Sequence, residues 1–345
     1  MSSELERRLE GLLAEAPEPD QGAGEEALHR ALRALQPAAR SHRGLRTAVL
    51  AIAAAAVLLA IAAGSLAAAG ALHVSFGAKP KPRPVSRPLS LPRGADGVAA
   101  LVDGRLSVVT KDGSRLQGLP ATAVTLSPHS LFVAAGIGRS LVAMAPDGRR
   151  IWSHRAHGQV VAIAWAPDAI RIAYVVRAGH RYALHVIWGI GTHDRTIDRS
   201  VRAVRPSWRA DSLALAYVGG GGKAVAYDLE HDKHDVLGGA APITSVAYAP
   251  RGKTLLAATP GSVLLGRKTV ATGEIEAIGW LHGRPAAALE QGVRPPLVRT
   301  FGATGRPARS FRAPGPIVGL TGDLIATRNL IGVRPTASVE DLAIG

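Results

Sequence analysis

An internal repeat is the feature of this sequence that most constrains its fold. Four segments read alike, each as an apolar strand, a polar turn and a second apolar strand: 124–135, 163–174, 206–217 and 246–258. Two fainter copies cover 277–289 and 318–328. The copies recur at intervals of roughly 32–43 residues, which is typical of repeat architectures. The sequence therefore predicts several copies of one small β unit.

Each copy carries anchor residues of two kinds. The first strand ends in a large side chain, and the turn that follows contains Pro or Asp. The large residues are Trp165, Trp208, Tyr248 and Trp280, and the turn residues are Pro128, Pro167, Asp168 and Pro250. Aromatic residues favour strands, whereas Pro and Asp favour turns. We expect these residues to be structural anchors of the repeat.

Further short strands lie between these copies, at 105–117, 139–154, 182–198, 224–237 and 262–271. Each unit therefore has about four short strands joined by Asp, Gly and Pro turns. A single sheet of this size cannot bury both of its faces, whereas copies packed around a ring cover one another. The sequence predicts an all-β fold for residues 94–345, a β-propeller of about seven four-stranded blades, or six.

An uncharged apolar segment precedes the repeats. Residues 47–72 contain no charged side chain, and an α-helix of this length crosses a hydrocarbon core of about 30 Å. We therefore predict one transmembrane helix. The alternatives are a signal peptide cleaved after 67–69 and a buried core helix, but a signal peptide has a shorter apolar core and a shorter leading segment.

The segments on either side of the predicted span differ in character. Residues 1–46 contain two short amphipathic helical patterns, at 3–15 and 25–36, which predict a tail that packs on itself, on the membrane or on a partner. Residues 73–93 are rich in Pro and basic side chains and predict an extended spacer. Basic residues flank both ends of the span, so charge alone does not set its orientation.

One copy carries a resemblance to a known family. Residues 166–168, Ala-Pro-Asp, followed by 172–174, Ile-Ala-Tyr, resemble the WD40-like propeller repeat of the TolB type. The order of tail, span, spacer and propeller is similar to membrane-anchored propeller proteins of high-GC Gram-positive, actinobacterial type. This resemblance implies a cytoplasmic N-terminus and a propeller outside the cell membrane. The sequence departs from the pattern in its last two units, and it lacks the Trp-Asp dipeptide of true WD repeats.

Residues that carry chemistry are sparse. The chain has no Cys, which excludes disulfides and thiolate metal sites. Possible metal ligands are His231, Asp232, His234 and Asp235, although their place in a loop between strands favours a solvated turn. Residues 219–223 read Gly-Gly-Gly-Gly-Lys, but no Ser or Thr follows, so they do not form a phosphate loop. With no catalytic constellation and no cofactor site, we expect a protein that is not an enzyme.

The net charge of +15 is concentrated after the apolar segment, where residues 77–345 carry 34 Lys and Arg against 18 Asp and Glu. Such a surface attracts polyanions, but the scarcity of aromatic residues disfavours nucleic acid as a partner. We predict a single-pass, membrane-anchored, non-catalytic binding or scaffold module for an extracytoplasmic protein, peptide or anionic polymer. Two alternatives are a transmembrane signalling protein with an anti-sigma-like cytoplasmic tail, and a hydrolase that uses the propeller channel.

Overall fold

The structure is a computed structural model of the 345-residue chain, and it describes residues 89–91, 95–237, 241–292, 294–321, 324–327 and 339–344. All of these residues belong to the second of two compact units, Ser75–Gly345. The predicted tail at 1–46, the predicted transmembrane helix at 47–72 and most of the predicted spacer lie outside the described residues. Within the described ranges, no helix has the length and apolar character that crossing a membrane requires.

The described residues form short antiparallel strands in chain order. The first eleven are β1 (Gly97–Val102), β2 (Arg105–Thr110), β3 (Arg115–Pro120), β4 (Ala123–Leu126), β5 (Val133–Ile137), β6 (Ser140–Met144), β7 (Arg150–Arg155), β8 (Gln159–Trp165), β9 (Arg171–Ala178), β10 (Arg181–Trp188) and β11 (Arg195–Asp198). A single 3-10 turn, Pro128–Ser130, lies between β4 and β5.

The remaining strands continue the same pattern. They are β12 (Ser207–Trp208), β13 (Ala214–Val218), β14 (Ala224–Asp228), β15 (Lys233–Leu237), β16 (Ser245–Tyr248), β17 (Leu255–Thr259), β18 (Ser262–Leu265), β19 (Lys268–Thr272), β20 (Ile275–Leu281), β21 (Arg284–Gln291), β22 (Arg294–Phe301), β23 (Pro307–Arg312), β24 (Ile317–Thr321), β25 (Leu324–Thr327) and β26 (Val339–Ile344). All six repeat copies recognised in the sequence coincide with consecutive strand pairs, beginning with β4 and β5.

These strands form seven sheets in the described part of the chain, six with four strands and one with two. We call each sheet a blade and number the blades from the one that contains β1. Blades two to six each use four consecutive strands, and blade seven contains β24 and β25. The prediction of an all-β fold built from four-stranded units is therefore confirmed.

The last strand of the chain completes the first blade. β26 pairs antiparallel with β1, from Val98 opposite Ile344 to Val102 opposite Val339, and the strand order of the blade is β26-β1-β2-β3. The innermost strands β26, β4, β8, β12, β16, β20 and β24 each contact the innermost strands of both neighbouring blades. The blades therefore form a closed ring, and the first and last described strands join within one sheet.

The hydrophobic core is divided into seven clusters, one at each junction between neighbouring blades. Successive residues of a strand point to opposite faces of its sheet. In β1, for example, Ala99 and Leu101 pack towards blade two, whereas Val98 and Ala100 pack against Ala326 of blade seven. Both faces of each blade are thereby covered, which is the physical reason for the ring that the repeats predicted.

Because strand direction alternates, the turns fall on two opposite edges of the ring. We call face 1 the edge that carries the turns between the first and second, and the third and fourth, strands of each blade. Face 2 carries the turns between second and third strands and the connections between blades. In blade three, face 1 holds 166–170 and 189–194, and face 2 holds 179–180 and 199–206.

Candidate interaction site

The aromatic anchors connect neighbouring blades. Nε1 of Trp208 in blade four donates to the carbonyl oxygen of Ala164 in blade three at 2.9 Å, and both residues are buried. Trp280 in blade six donates in the same way to Ala247 in blade five at 3.1 Å. Trp165 instead donates to Ala169 in its own turn at 3.0 Å. The large residue at the end of the innermost strand therefore fixes one blade to the preceding one at two junctions.

A hydroxyl group just before the anchor position makes a second connection between blades. The backbone N–H of Tyr248 in blade five donates to Oγ of Ser207 in blade four at 2.9 Å. Two blades earlier, Trp165 N–H donates to Oγ1 of Thr125 at 3.4 Å. A buried backbone donor without a partner is costly, so these hydroxyls stabilise the ring.

The turn anchors lie on face 1. Oδ1 of Asp168 accepts the backbone N–H of Ile170 at 2.9 Å, and its Oδ2 pairs with Arg171 at 3.0 Å. The backbone N–H of Asp168 donates to Ser212 of the next blade at 3.0 Å. Pro128 begins the 3-10 turn of blade two, and the exposed Pro167 and Pro250 lie in the matching turns of blades three and five. These contacts give the turn anchors a structural part in the repeat.

An apolar patch lies beside these turns on face 1. Leu131 is 55% exposed, and it precedes Phe132, whose ring stacks on that of Trp165 with centroids 6.4 Å apart and planes at 20°. We call Leu131, Phe132 and Trp165 the apolar patch. The charged neighbours of this patch are paired, Asp168 with Arg171 and, in the turns of blade one, Asp96 with Lys111 at 2.6 Å.

Sequence reasoning missed Leu131 and Phe132. A signal was present only at Phe132, because the matching positions of the next two copies carry Arg171 and Ala214, whereas Leu131 corresponds to the apolar Ile170 and Leu213. Exposed apolar side chains that occur together mark sites of protein interaction more often than isolated ones do. The apolar patch is therefore the candidate interaction site of the propeller.

A cluster of titratable side chains lies at the junction of blades two and three. Oδ1 of Asp194 accepts a hydrogen bond from the buried hydroxyl of Tyr174 at 2.8 Å. Nε2 of His154 and Nδ1 of His185 each lie 3.4 Å from Oδ2 of Asp194, at angles outside hydrogen-bonding geometry, so these are electrostatic contacts. The ring of His185 also stacks on Tyr174 at 5.1 Å.

The pKa values of this cluster follow from its burial and contacts. Burial, the largest influence, would raise the pKa of Asp194, but the contacts with His185 and Tyr174 outweigh it and hold that pKa below its usual value. Burial, then the bond to Asp194, raises the pKa of Tyr174 well above its usual value. The fold buries His185 and brings it and His154, which lies on the neighbouring blade, to one carboxylate.

The possible metal ligands take separate partners. Nδ1 of His234 lies 2.9 Å from the hydroxyl of Tyr217, whereas Asp232 accepts the hydroxyl of Tyr227 and pairs with Arg195. Oδ1 of Asp235 lies 3.4 Å from Nζ of Lys233. The hydrogen bond from Tyr227 is the main cause that lowers the pKa of Asp232, and burial raises the pKa of Tyr227 to about 12.

His231 is oriented towards a different group. Within the described residues, the one cluster with metal-ligand spacing is formed by Asp228, Glu230 and His231 on face 1. Oδ1 of Asp228 already accepts the backbone N–H groups of Glu230 and His231 at 3.0 and 3.1 Å. These bonds describe a turn closed by an aspartate side chain, a common local structure.

Arg205 reaches across the centre of the ring. It lies in the connection from blade three to blade four, and its guanidinium donates to the carbonyl oxygen of Leu342 on β26 and to Oγ1 of Thr125 on β4 at 3.2 Å. Both acceptors belong to innermost strands, of blades one and two. The Arg205 side chain therefore links three blades through the channel.

Comparisons with known proteins point to the same architecture. No protein-family model matches the sequence, and no curated protein matches it. Among solved structures, 1068 chains are similar. One belongs to the crystal structure of the mitotic checkpoint complex, with a TM-score of 0.52 and 14% identity over 74% of this chain and 92% of that chain. At this identity the likeness shows the fold, a WD40-like β-propeller.

Proposed function

We propose that this protein is a membrane-anchored, non-catalytic scaffold that binds a protein partner at the apolar patch on face 1. The patch itself carries the proposal, because Leu131 exposes more than half of its surface next to a stacked aromatic pair. Apolar and aromatic side chains that lie together in this way are typical of interaction hot spots. The WD40-like fold, shared with a chain of a multiprotein complex, supports a protein as the partner.

The absence of catalysis is part of this proposal. The titratable cluster around Asp194 is occupied by internal contacts, and the raised pKa of Tyr174 keeps that hydroxyl protonated and unsuited to act as a nucleophile. A pocket of about 430 Å³ lies between blades six and seven on face 2. Among the described residues, its lining offers carboxylates and one guanidinium but no Ser, Thr, His or Lys: Glu276, Glu290, Gly292, Arg294, Pro295, Pro296, Gly315 and Pro316.

A site-specific crosslinking experiment tests the binding site. A photoreactive amino acid is placed in the full chain at Leu131 or at Val236, which is 56% exposed on the outermost strand of blade four and serves as the matched control. We expect a discrete crosslinked protein from Leu131 alone, and mass spectrometry then identifies it. Equal products from both positions, or none from Leu131, would refute the proposal.

The identified partner is next tested in purified form. Leu131→Asp puts a charge into the patch, and a buried hot-spot contact is worth about 2 kcal/mol or more, so we expect Kd to rise by about thirtyfold or more. The control Val236→Asp should leave Kd unchanged. Near-ultraviolet circular dichroism checks that both variants retain the fold.

Membrane anchoring, with the propeller outside the cell, rests on the uncharged segment 47–72 and on the resemblance of the domain order. Protease treatment of intact cells, followed by alkaline extraction of the membranes, tests both parts. We expect the propeller to be cleaved, the tail at 1–46 to be protected, and the chain to resist extraction. A protected propeller would reverse the orientation, and a chain that alkali extracts would exclude the anchor.

A further inference from the structure

Basic side chains gather on face 2 of blades two, three and four. Six exposed cations lie at the turns and connections of this edge: Arg139, Arg155, Arg181, Arg199, Arg202 and Lys223. We call this set the basic face. Hydrogen bonds between the segments hold it together, from Ala156 to the carbonyl of Arg139 at 2.9 Å and from Gly220 to that of Ser200 at 2.6 Å.

The cations of the basic face have no acidic partners. Within residues 95–237, which the structure describes without a gap, none of the six forms an ion pair. One carboxylate on this part of face 2, that of Asp198, accepts the backbone N–H of Ser200 and the hydroxyl of Tyr217. The other four acidic residues between 137 and 224 belong to face 1: Asp147, Asp168, Asp194 and Asp211.

The two faces of these blades differ in how their charged side chains are paired. On face 1 of the same blades Arg171, Arg195 and Arg209 pair with carboxylates, whereas the six cations of the basic face form no ion pair among the described residues. They share their edge with one carboxylate, that of Asp198, which leaves a broad positive potential. Five of the six are arginines, whose planar guanidinium groups bind phosphate oxygens in pairs. The turns of the basic face contain no Phe, Tyr or Trp, and the rings that they do expose are the small imidazoles of His157 and His180, which makes this face a poor platform for stacking nucleic-acid bases.

We propose that the basic face docks on the phosphate headgroups of an anionic phospholipid membrane. The turns at 138–139 and 179–180 are short and contain glycine, so they project little from the ends of the strands. The arginines therefore lie on a shallow surface, which suits a planar partner such as a bilayer. This inference rests on the membrane anchoring proposed above, which places lipid phosphates within permanent reach of the propeller and so raises their effective concentration. Docking by face 2 leaves the apolar patch of face 1 open to a protein.

The test uses the full chain and first separates docking from anchoring. Flotation with vesicles of pure phosphatidylcholine reports on the anchor alone, because these lipids carry no net charge. The natural chain has no Cys, so a fluorophore can be attached at Gly221→Cys on face 2, where a Cβ meets open space, or at Arg251→Cys on face 1. Lipids with a quencher on the headgroup then report which face approaches the bilayer.

We expect the label at Gly221→Cys to be quenched when phosphatidylglycerol is included and released by high salt, whereas the label at Arg251→Cys stays bright. Each cation near an anionic surface contributes about fivefold to binding. The triple variant Arg181→Gln, Arg199→Gln, Arg202→Gln should therefore lower the ratio of docked to undocked protein on the order of a hundredfold.

The matched control neutralises three exposed arginines of face 1, Arg149→Gln, Arg251→Gln and Arg267→Gln, and should leave the quenching at Gly221→Cys unchanged. Flotation without quenching at face 2, or quenching that is equal in pure phosphatidylcholine, would overturn the docking proposal while leaving the anchor intact. Release of the quenched label by duplex DNA or by a polyglutamate peptide would assign the basic face to that polyanion instead of to lipid.

Discussion

Replacing Tyr174 by Phe removes one oxygen atom from the junction of blades two and three. The Tyr174 side chain is fully buried, and its hydroxyl donates to Oδ1 of Asp194, whose side chain is 18% exposed. The variant Tyr174→Phe keeps the ring and its stacking on His185, so little changes except the hydrogen bond. A bond to a charged acceptor contributes about 1.5–3 kcal/mol to folding. We expect the free energy of unfolding to fall by that amount.

The loss should depend on pH. The folded pKa of Asp194 lies below the usual 3.8, so this carboxylate adds stability above pH 3.8 that is lost as the pH falls through the folded pKa. Once Asp194 is protonated, the bond from Tyr174 joins two neutral groups and contributes about 0.5–1.5 kcal/mol. The difference between the natural chain and Tyr174→Phe is therefore largest at neutral pH and shrinks in acid.

Thermal unfolding of the full chain in detergent measures the effect. For a domain of this size, 1 kcal/mol corresponds to about 2–4 °C, so Tm should drop by about 3–12 °C at neutral pH. The control is Tyr182→Phe, because the Tyr182 hydroxyl makes no hydrogen bond among the described residues, and its Tm should hardly change. Equal losses in the two variants, or a loss for Tyr174→Phe that is the same at acid and neutral pH, would refute the reasoning.

Three further changes test the ring itself. Trp208→Phe removes the hydrogen bond between blades three and four and should cost about 1–3 kcal/mol in denaturant unfolding, whereas Trp165→Phe loses a bond within its own turn and should cost less than about 1 kcal/mol. Gly279→Ala puts a Cβ 2.0 Å from a carbonyl oxygen of blade seven and should cost about 3 kcal/mol or more, whereas Gly261→Ala meets open space and should stay within about 0.5 kcal/mol. Deletion of 339–345 exposes the β1 edge and should lower Tm and produce oligomers in size-exclusion chromatography, since open strand edges associate.

A different result would contradict each of these three predictions. Similar costs for the two Trp variants would mean that the bond between blades adds no stability. A stable Gly279→Ala variant would show that blades six and seven do not approach as closely as the structure has them. A truncated chain that stays monomeric with an unchanged Tm would show that β26 does not close the ring.

Local features of the fold were predictable from the sequence. The segment 163–174 predicted two strands and a turn, and it forms β8 and β9 with Asp168 in the turn between them. Alternation of apolar residues and turn chemistry act over a few neighbouring residues, so they can be read without knowledge of the rest of the chain. The repeat period then extended this local pattern to the number of blades.

Contacts between residues that are far apart in the sequence could not be predicted in this way. β26 pairs with β1 although more than two hundred residues separate them, and no local pattern indicates that this last strand belongs to the first blade. Likewise, His154 and Asp194 meet because they lie about one repeat apart on neighbouring blades. A comparison of residues one period apart could have suggested this contact, but only the packing of the blades decides which side chains face each other.

The apolar patch and the basic face also depend partly on the sequence and partly on the tertiary structure. The sequence alone determined that the chain contains a repeated β unit with an excess of basic residues, because strand alternation, turn residues and charge are properties of neighbouring positions. The tertiary structure decided that Leu131 lies exposed beside Trp165 and that unpaired arginines share face 2. The physical reason is that the direction of each strand assigns its turns to one edge of the ring, and closure of the ring then brings together turns that are far apart in the chain.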